Sequence, residues 1–172
     1  GRAMAHVVAA FVGKKKRSSL LTKLSFGGCN ARIPDAESPN AWLSRDAEEV
    51  EKYDASPWTG FTCTAGFYCD MLDGLSAIHA PKALRSIPKE LPVLIVSGTE
   101  DPLGQYGQTT RNLHDLYPKN GMSKVQLMMN VGGRHESLNE TNRDEMTERI
   151  IDWMDATIAE GSPTPLTEHA NL

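Results

Sequence analysis

Apolar positions divide the chain into two unlike parts. Beyond Pro88 two short runs are apolar almost without interruption, LPVLIVS at 91–97 and VQLMMNV at 125–131. Runs of that kind suit strands of a parallel sheet covered on both faces. Between them, residues 105–117 read as a helix that Pro118 and Gly121 end. Residues 139–159 read as a final helix, with Met146, Ile150, Trp153, Met154 and Ile158 marking its buried face and Gly161-Ser162-Pro163 stopping it. Strand, helix, strand, helix is an order that a right-handed crossover can join into a parallel pair. Two strands alone make a poor sheet, so this pattern implies a larger sheet than these residues supply.

The first part reads as helical and rich in loops. Residues 4–12 are apolar and Ala/Val-rich, and periodicity over so few positions does not separate helix from strand. Ser18 or Ser19 is placed to cap a helix through about Leu24, which Gly27-Gly28 breaks. Residues 25–41 carry no period. Ser44 or Asp46 precedes an acidic helical turn with Val50 and Tyr53 on one face. A loop over 54–60 leads to a helix at 61–79, carrying Phe61, Ala65, Tyr68 or Cys69, Leu72, Leu75 and Ile78, with Gly66 and Gly74 weakening it. The expected division is a helical region 1–85, a strand-helix-strand-helix region 86–160, and a flexible tail 161–172.

Composition narrows the classes. A length of 172 residues permits one domain with a sizeable core. A formal charge of -4 argues against a nucleic-acid partner. The basic run Lys14–Arg17 has no aromatic residues within it and reads as a solvated turn. No apolar run approaches the roughly 18 residues of a membrane span. The amino terminus lacks the basic, apolar, small-residue order of a secretory signal. Cys29, Cys63 and Cys69 form no metal spacing and no disulfide framework, so a reducing, cytoplasmic compartment is expected. No two histidines have zinc spacing, and neither a metal nor a cofactor is assigned.

The chemistry sits in the loops after the two apolar runs. SGTEDPLG places Asp101 just past the first, between Gly98 and Pro102; Glu100 is its neighbouring rival. Active sites of parallel sheets lie at the carboxyl ends of their strands. NVGGRHE places His135 just past the second, where Gly132 and Gly133 allow a turn that projects the ring over the sheet edge. Asp101 would hold the histidine's Nδ1–H, and His135 would act as general base and then general acid. Acid after one strand and histidine after the next is the late chain order of an α/β-hydrolase. The nucleophile that should precede them is missing, because no Gly-x-Ser-x-Gly occurs in the chain. Ser25 in LSFGG lacks the flanking glycines, and Cys63 has its glycines three residues away on each side.

SGTEDPLG, NVGGRHESLNETNR and NAWLSRDAEEVEKYDASPWTGFT together resemble the serine α/β-hydrolases that include monoacylglycerol lipase-like and lysophospholipase-like enzymes. The resemblance runs from about residue 10 to residue 158 and includes Gly27-Gly28-Cys29-Asn30 and Trp42–Asp46 as cap sequence. It implies an α/β fold, with a helical cap followed by the last strands and helices of a mostly parallel sheet. It implies Asp101 as triad acid and His135 as triad histidine, with Asn139, Glu140, Asn142 and Arg143 opening the last helix and anchoring the histidine loop. Residues 1–85 become cap, and Trp58, Phe61 and Phe67 pocket or core aromatics. The family's early strands, oxyanion-hole loop and nucleophile elbow are not in this sequence. The expectation is therefore the carboxyl-terminal part of a serine carboxylester hydrolase acting on acylglycerols, lysophospholipids or small esters. Its partner would be the missing amino-terminal half bearing the nucleophile. The alternative is a catalytically silent module, self-associating through exposed sheet edges.

Overall fold

Five α-helices precede a strand, a helix, a strand and a last helix in the computed structural model, which describes residues 1–160. The tail expected at 161–172 and the Gly161-Ser162-Pro163 stop lie outside the described residues.

α1 (Arg2–Val12) packs against α4 (Ala65–Ile78). Ala5 and Ala9 are buried on α1, Ala65 and Cys69 on α4, and Leu21 of α2 (Ser19–Phe26) closes the cluster. Small side chains at i and i+4 bring two helix faces close, and alanine is the best helix former, so residues 4–12 resolve as helix. Tyr68 fills the remaining volume, and its hydroxyl pairs with Thr22 Oγ1 at 2.8 Å, which satisfies the one polar atom it buries.

Lys14–Arg17 is the exposed turn between α1 and α2. The backbone of residues 14–18 pairs with Cys63 and with the first two residues of α4. Ala65 N–H donates to Lys16 O and Gly66 N–H to Lys14 O, both at 2.8 Å, and Ser18 N–H donates to Cys63 O at 3.0 Å. Thr64 forms an antiparallel bridge with Arg17 and takes extended backbone, φ −74° and ψ 158°. The helix expected from 61 therefore starts at Ala65, capped by Thr64, whose side chain accepts from Phe67 N–H. Cys69 is a helix residue and Cys63 is not. Trp58, Phe61 and Phe67 are exposed rather than core.

Ser18 caps α2 through Leu21 N–H. Asp46 caps α3 (Ala47–Ala55), accepting from Glu48 and Glu49 N–H, and both glutamates favour the positive end of the helix dipole. The stretch 25–41, without period in the sequence, leads into a 3₁₀ turn at Ala41–Leu43, and Cys29, Trp42 and Leu43 form a second apolar cluster with Ile33 and Tyr53 against it. α5 (Pro81–Ser86) follows α4 closely, its proline at a first-turn position where a missing N–H costs nothing.

β1 (Val93–Gly98) and β2 (Val125–Asn130) pair in parallel, from Val93 opposite Val125 to Gly98 opposite Asn130. α6 (Gln108–Lys119) is the crossover between them. It begins three residues later than its sequence pattern, because Gln105, Tyr106 and Gly107 all adopt positive φ, at 48°, 57° and 83°. It also runs through Pro118, which lies in the last turn, where Asn120 N–H still reaches the carbonyls of Leu116 and Tyr117. α7 (Arg143–Glu160) begins four residues later than expected, after a 3₁₀ turn at Ser137–Asn139 against which it packs. Met146 is fully buried and Ile150 and Trp153 partly so, but Met154 and Ile158 of the expected buried face are exposed, Ile158 by 79%. The packing lies toward the amino end of α7, and the apolar stripe continues beyond it. The strands likewise fall short of two covered faces: Ile95 and Met128 are buried, whereas Val93, Leu94, Val96 and Leu127 are half-buried. Among the described residues the sheet has two strands, and none of the helices is long and apolar enough to cross a membrane.

Candidate active site

The parallel register sets the carboxyl ends of β1 and β2 side by side, and the loops that leave them are stitched together. Thr99 N–H donates to Asn130 O at 3.0 Å, Glu100 N–H to Gly133 O at 2.8 Å, and Gly132 N–H to Thr99 Oγ1 at 2.8 Å. Gly98 is required by this closeness. A Cβ there would fall inside contact distance of the carbonyl oxygens of Gly133 and Arg134, which are backbone atoms with no side-chain freedom to yield. Gly132 takes a positive φ of 72°, the turn conformation that a glycine adopts without strain.

Asp101 and His135 meet across this junction. His135 Nδ1 donates to Asp101 Oδ1 at 3.1 Å, and the same oxygen accepts Leu103 N–H at 2.9 Å. Tyr106 N–H returns to Asp101 O at 2.8 Å, so the left-handed residues 105–107 fold the acid loop back on itself. Gly104 leaves room for the carboxylate, since a Cβ there would sit 3.0 Å from Asp101 Oδ2. Burial by itself pushes the Asp101 carboxyl up, but the hydrogen bond and charge of His135, joined by the Leu103 and Gly104 N–H groups, hold it below the usual carboxylate range. The Asp101 hydrogen bond raises His135 above the ordinary imidazole value; burial opposes this, and the charges of Asp101 and Glu136 add to it. The Asp101 side chain is 9% exposed and that of His135 37%, so the pair opens to solvent on the histidine side. Among the described residues His135 Nε2 has no hydrogen-bond partner, which leaves it open to an incoming hydroxyl.

The rival acid goes elsewhere. Glu100 is exposed and lines a cleft of about 210 Å³ with Arg32, Arg45, Arg134 and Tyr106. His6 pairs with Asp73, His114 with Asp115, and His79 closes α4 on Leu75 O; His169 lies outside the described residues. Ser25 is exposed on α2. Cys29 lies near the acid, but burial first and the Asp101 charge second push its thiol up, which keeps it protonated and a poor nucleophile.

Residues far back in the sequence enclose the histidine. The Trp42 ring lies 5.1 Å from the His135 ring, tilted by 46°, and Phe26 stacks on Trp42 at 5.9 Å. The Arg32 guanidinium lies over the Tyr106 ring at 3.6 Å. Arg134 Nη1 donates to the carbonyls of Ala41 and Ser44 at 2.7 and 2.8 Å. Of the four residues expected to anchor the histidine loop, Glu140 is the one fully buried. Asn142 bonds the side chain of Asn130 and receives Arg45 Nη2, and Arg143 opens α7 and pairs with Asp46 at 2.7 Å. Asn139 offers its carbonyl to Ser44 Oγ at 2.7 Å. The sequence pattern gave no sign of the part played by Trp42, Arg45 and Arg134, since all three act on positions about ninety residues away or receive contacts from there.

Comparison with known proteins places these features in a wider set. The sequence pattern of the hydrolase family described as serine aminopeptidase, S33 matches residues 2–142. A thermostable carboxyl esterase from Bacillus coagulans, crystallised with glycerol, is 24% identical and superposes with a TM-score of 0.78 over 89% of this chain and 51% of its own. A lipase in its open form is 20% identical with a TM-score of 0.77, covering 88% of this chain and 49% of its own. A monoacylglycerol lipase from Paleococcus ferrophilus is 19% identical with a TM-score of 0.56, covering 82% of this chain and 54% of its own. The chain thus spans about half the length of these structures and has the fold of their corresponding part. No curated protein sequence matches it.

Proposed function

Because this chain belongs to the serine aminopeptidase, S33 family of α/β-hydrolases, we propose that it is the carboxyl-terminal part of a serine carboxylester hydrolase and supplies that enzyme's acid and base. Residues 1–85 are its cap, and residues 86–160 the end of its core. The nucleophilic serine and the oxyanion donors come from an amino-terminal half. The serine Oγ attacks the ester carbonyl while His135 Nε2 takes its proton and the Asp101 carboxylate stabilises the imidazolium. His135 then protonates the departing alcohol, and the ester C–O bond breaks to leave an acyl-enzyme. Water, deprotonated by the same nitrogen, releases the acid and restores the serine. Acylglycerols, lysophospholipids and small esters are the substrate class. Three free cysteines suit a reducing, cytoplasmic setting.

One observation carries this reading: His135 Nδ1 and Asp101 Oδ1 lie 3.1 Å apart at adjacent parallel strand ends, with Nε2 unpartnered among the described residues. Without a nucleophile and oxyanion donors the chain alone is silent. The test is fluorophosphonate labelling of the chain assembled with an amino-terminal half bearing Gly-x-Ser-x-Gly. Labelling of the serine that disappears with His135→Gln is expected. An assembly that stays unlabelled, while intact mass and gel filtration show it formed, points instead to a silent module joined through its open sheet edges.

A further inference from the structure

The base of this site is held in place by another part of the chain. Arg134 N–H donates to Glu140 Oε1 at 2.7 Å, His135 N–H to Trp42 O at 3.3 Å, and Glu136 N–H to Leu43 O at 2.8 Å. Three consecutive backbone donors around the imidazole therefore go to Glu140 and to the segment Ala41–Asp46, and none to β1 or β2. The Glu140 carboxylate, wholly buried, is where the two sides join. Its Oε1 also accepts Arg45 N–H at 3.1 Å, and its Oε2 accepts Arg45 Nε at 2.8 Å and Thr141 N–H at 3.1 Å. The linkage is reciprocal, since Arg134 Nη1 reaches the carbonyls of Ala41 and Ser44, and Ser44 Oγ reaches Asn139 O.

We propose that Glu140, paired with Arg45, is a positioning residue for His135, fastening the histidine loop to the cap segment 41–46 so that the cap sets where the imidazole stands against Asp101. The proposal rests on reading His135 as the catalytic base. The donors explain why a carboxylate occupies a buried place. Its two oxygens are the acceptors for two backbone N–H groups of the histidine loop and two N–H groups of Arg45, and an apolar residue there would leave buried donors unpaired. Glu140 has no hydrogen bond to the His135 ring among the described residues and reaches His135 through the Arg134 backbone N–H. By this account segment 41–46 moves with the core, not with the rest of the cap, and a displaced segment carries the base away from its acid.

The test follows His135 by NMR in the 172-residue chain, reading the ring titration and the Nδ1–H proton shared with Asp101. The charged groups facing this ring are Asp101 from the loop after β1 and Glu136 from its own loop; from the cap, the Cys29 thiol faces Asp101. Glu140→Gln and Arg45→Met are both expected to lower the His135 midpoint toward the ordinary imidazole value by about half a pH unit and to weaken the Nδ1–H signal, because each lengthens the bond to Asp101. Arg45→Lys, which keeps a donor toward Glu140, is expected to return most of the midpoint. A direct effect of charge has the opposite sign for one variant: removing the arginine's positive charge would raise the midpoint, and that result overturns the proposal. A midpoint unchanged in both variants, with only the melting temperature lowered, overturns it as well. Should Glu140→Gln fail to fold, the Arg45 variants decide by sign alone, as that side chain is one-third exposed. No nucleophile or substrate enters the experiment, so its failure leaves the hydrolase reading standing, whereas absent fluorophosphonate labelling leaves the Glu140 linkage to His135 but removes the catalytic base it would position.

Discussion

Between α1 and α4 the most deeply buried residues include Ala5, Ala65 and Cys69; beyond the carboxyl ends of β1 and β2 they include Glu140 and Ser44. The first group is held by area. Each apolar contact there is weak and non-directional, and a change of volume is felt in proportion to its size. The second group is held by donors and acceptors at fixed angles. A buried polar group is tolerated because its partners are present, and removing a partner costs the whole desolvation of what remains. The helix pair should therefore fail gradually and the loop face abruptly.

Gly98→Ala is expected to have the largest effect, because a Cβ would overlap two carbonyl oxygens that have no rotamer to change. A loss of about 4 kcal/mol or more is expected, or no folded protein at all, measured by urea unfolding. Tolerance within about 1 kcal/mol would break the contrast at its sharper side. Ala5→Leu, pressed into the α1–α4 contact, is expected to cost about 1–3 kcal/mol as overpacking, with the cooperative transition kept. The paired acid and base give a smaller, pH-shaped effect. Asp101 titrates below its usual value when folded, so its contribution is present above about pH 3.9 and is lost as pH falls through the depressed folded value. His135 titrates above its usual value, so its contribution is full below about pH 6.5 and is lost as pH rises through the raised folded value. The melting-temperature gap between the wild-type chain and Asp101→Asn should be widest between about pH 4 and 6.5 and narrow on either side. A gap independent of pH would show that the pair stabilises by packing alone. Gly74→Ala should gain about 0.5–1 kcal/mol, since a Cβ there meets nothing within 4 Å and α4 is helical around it.

The same contrast explains what the sequence disclosed. Asp101 and His135 were legible because their placement is local, each a short loop beyond an apolar run, and the family resemblance named the same pair. Caps at Ser18 and Asp46 were legible for the same reason, since a cap acts within three residues of itself. Element starts depart from the sequence pattern where a long-range bond overrules local preference. Thr64 is held extended by its bridge to Arg17, and residues 140–142 are spent on partners before α7 can begin. Glu136 and Glu140 stand four residues apart in one loop, yet Glu136 is partly exposed and Glu140 has no contact with water. The difference lies in Arg45, about ninety residues away, which no local pattern connects to either.

The pairing of Gly98 with Asn130 has a numerical consequence. Asp101 lies three positions past one of these residues and His135 five past the other, so the separation of the two side chains inherits any error in strand alignment. Sliding β2 by a single position would move its end by about 3.3 Å, as far as the acid and the imidazole now stand apart, and would turn every side chain on that strand to the opposite face. Alignment of two six-residue strands is therefore the yardstick against which this contact is measured out, and Val93 opposite Val125, at the far end of the ladder, belongs to the Asp101–His135 pair as much as to the fold.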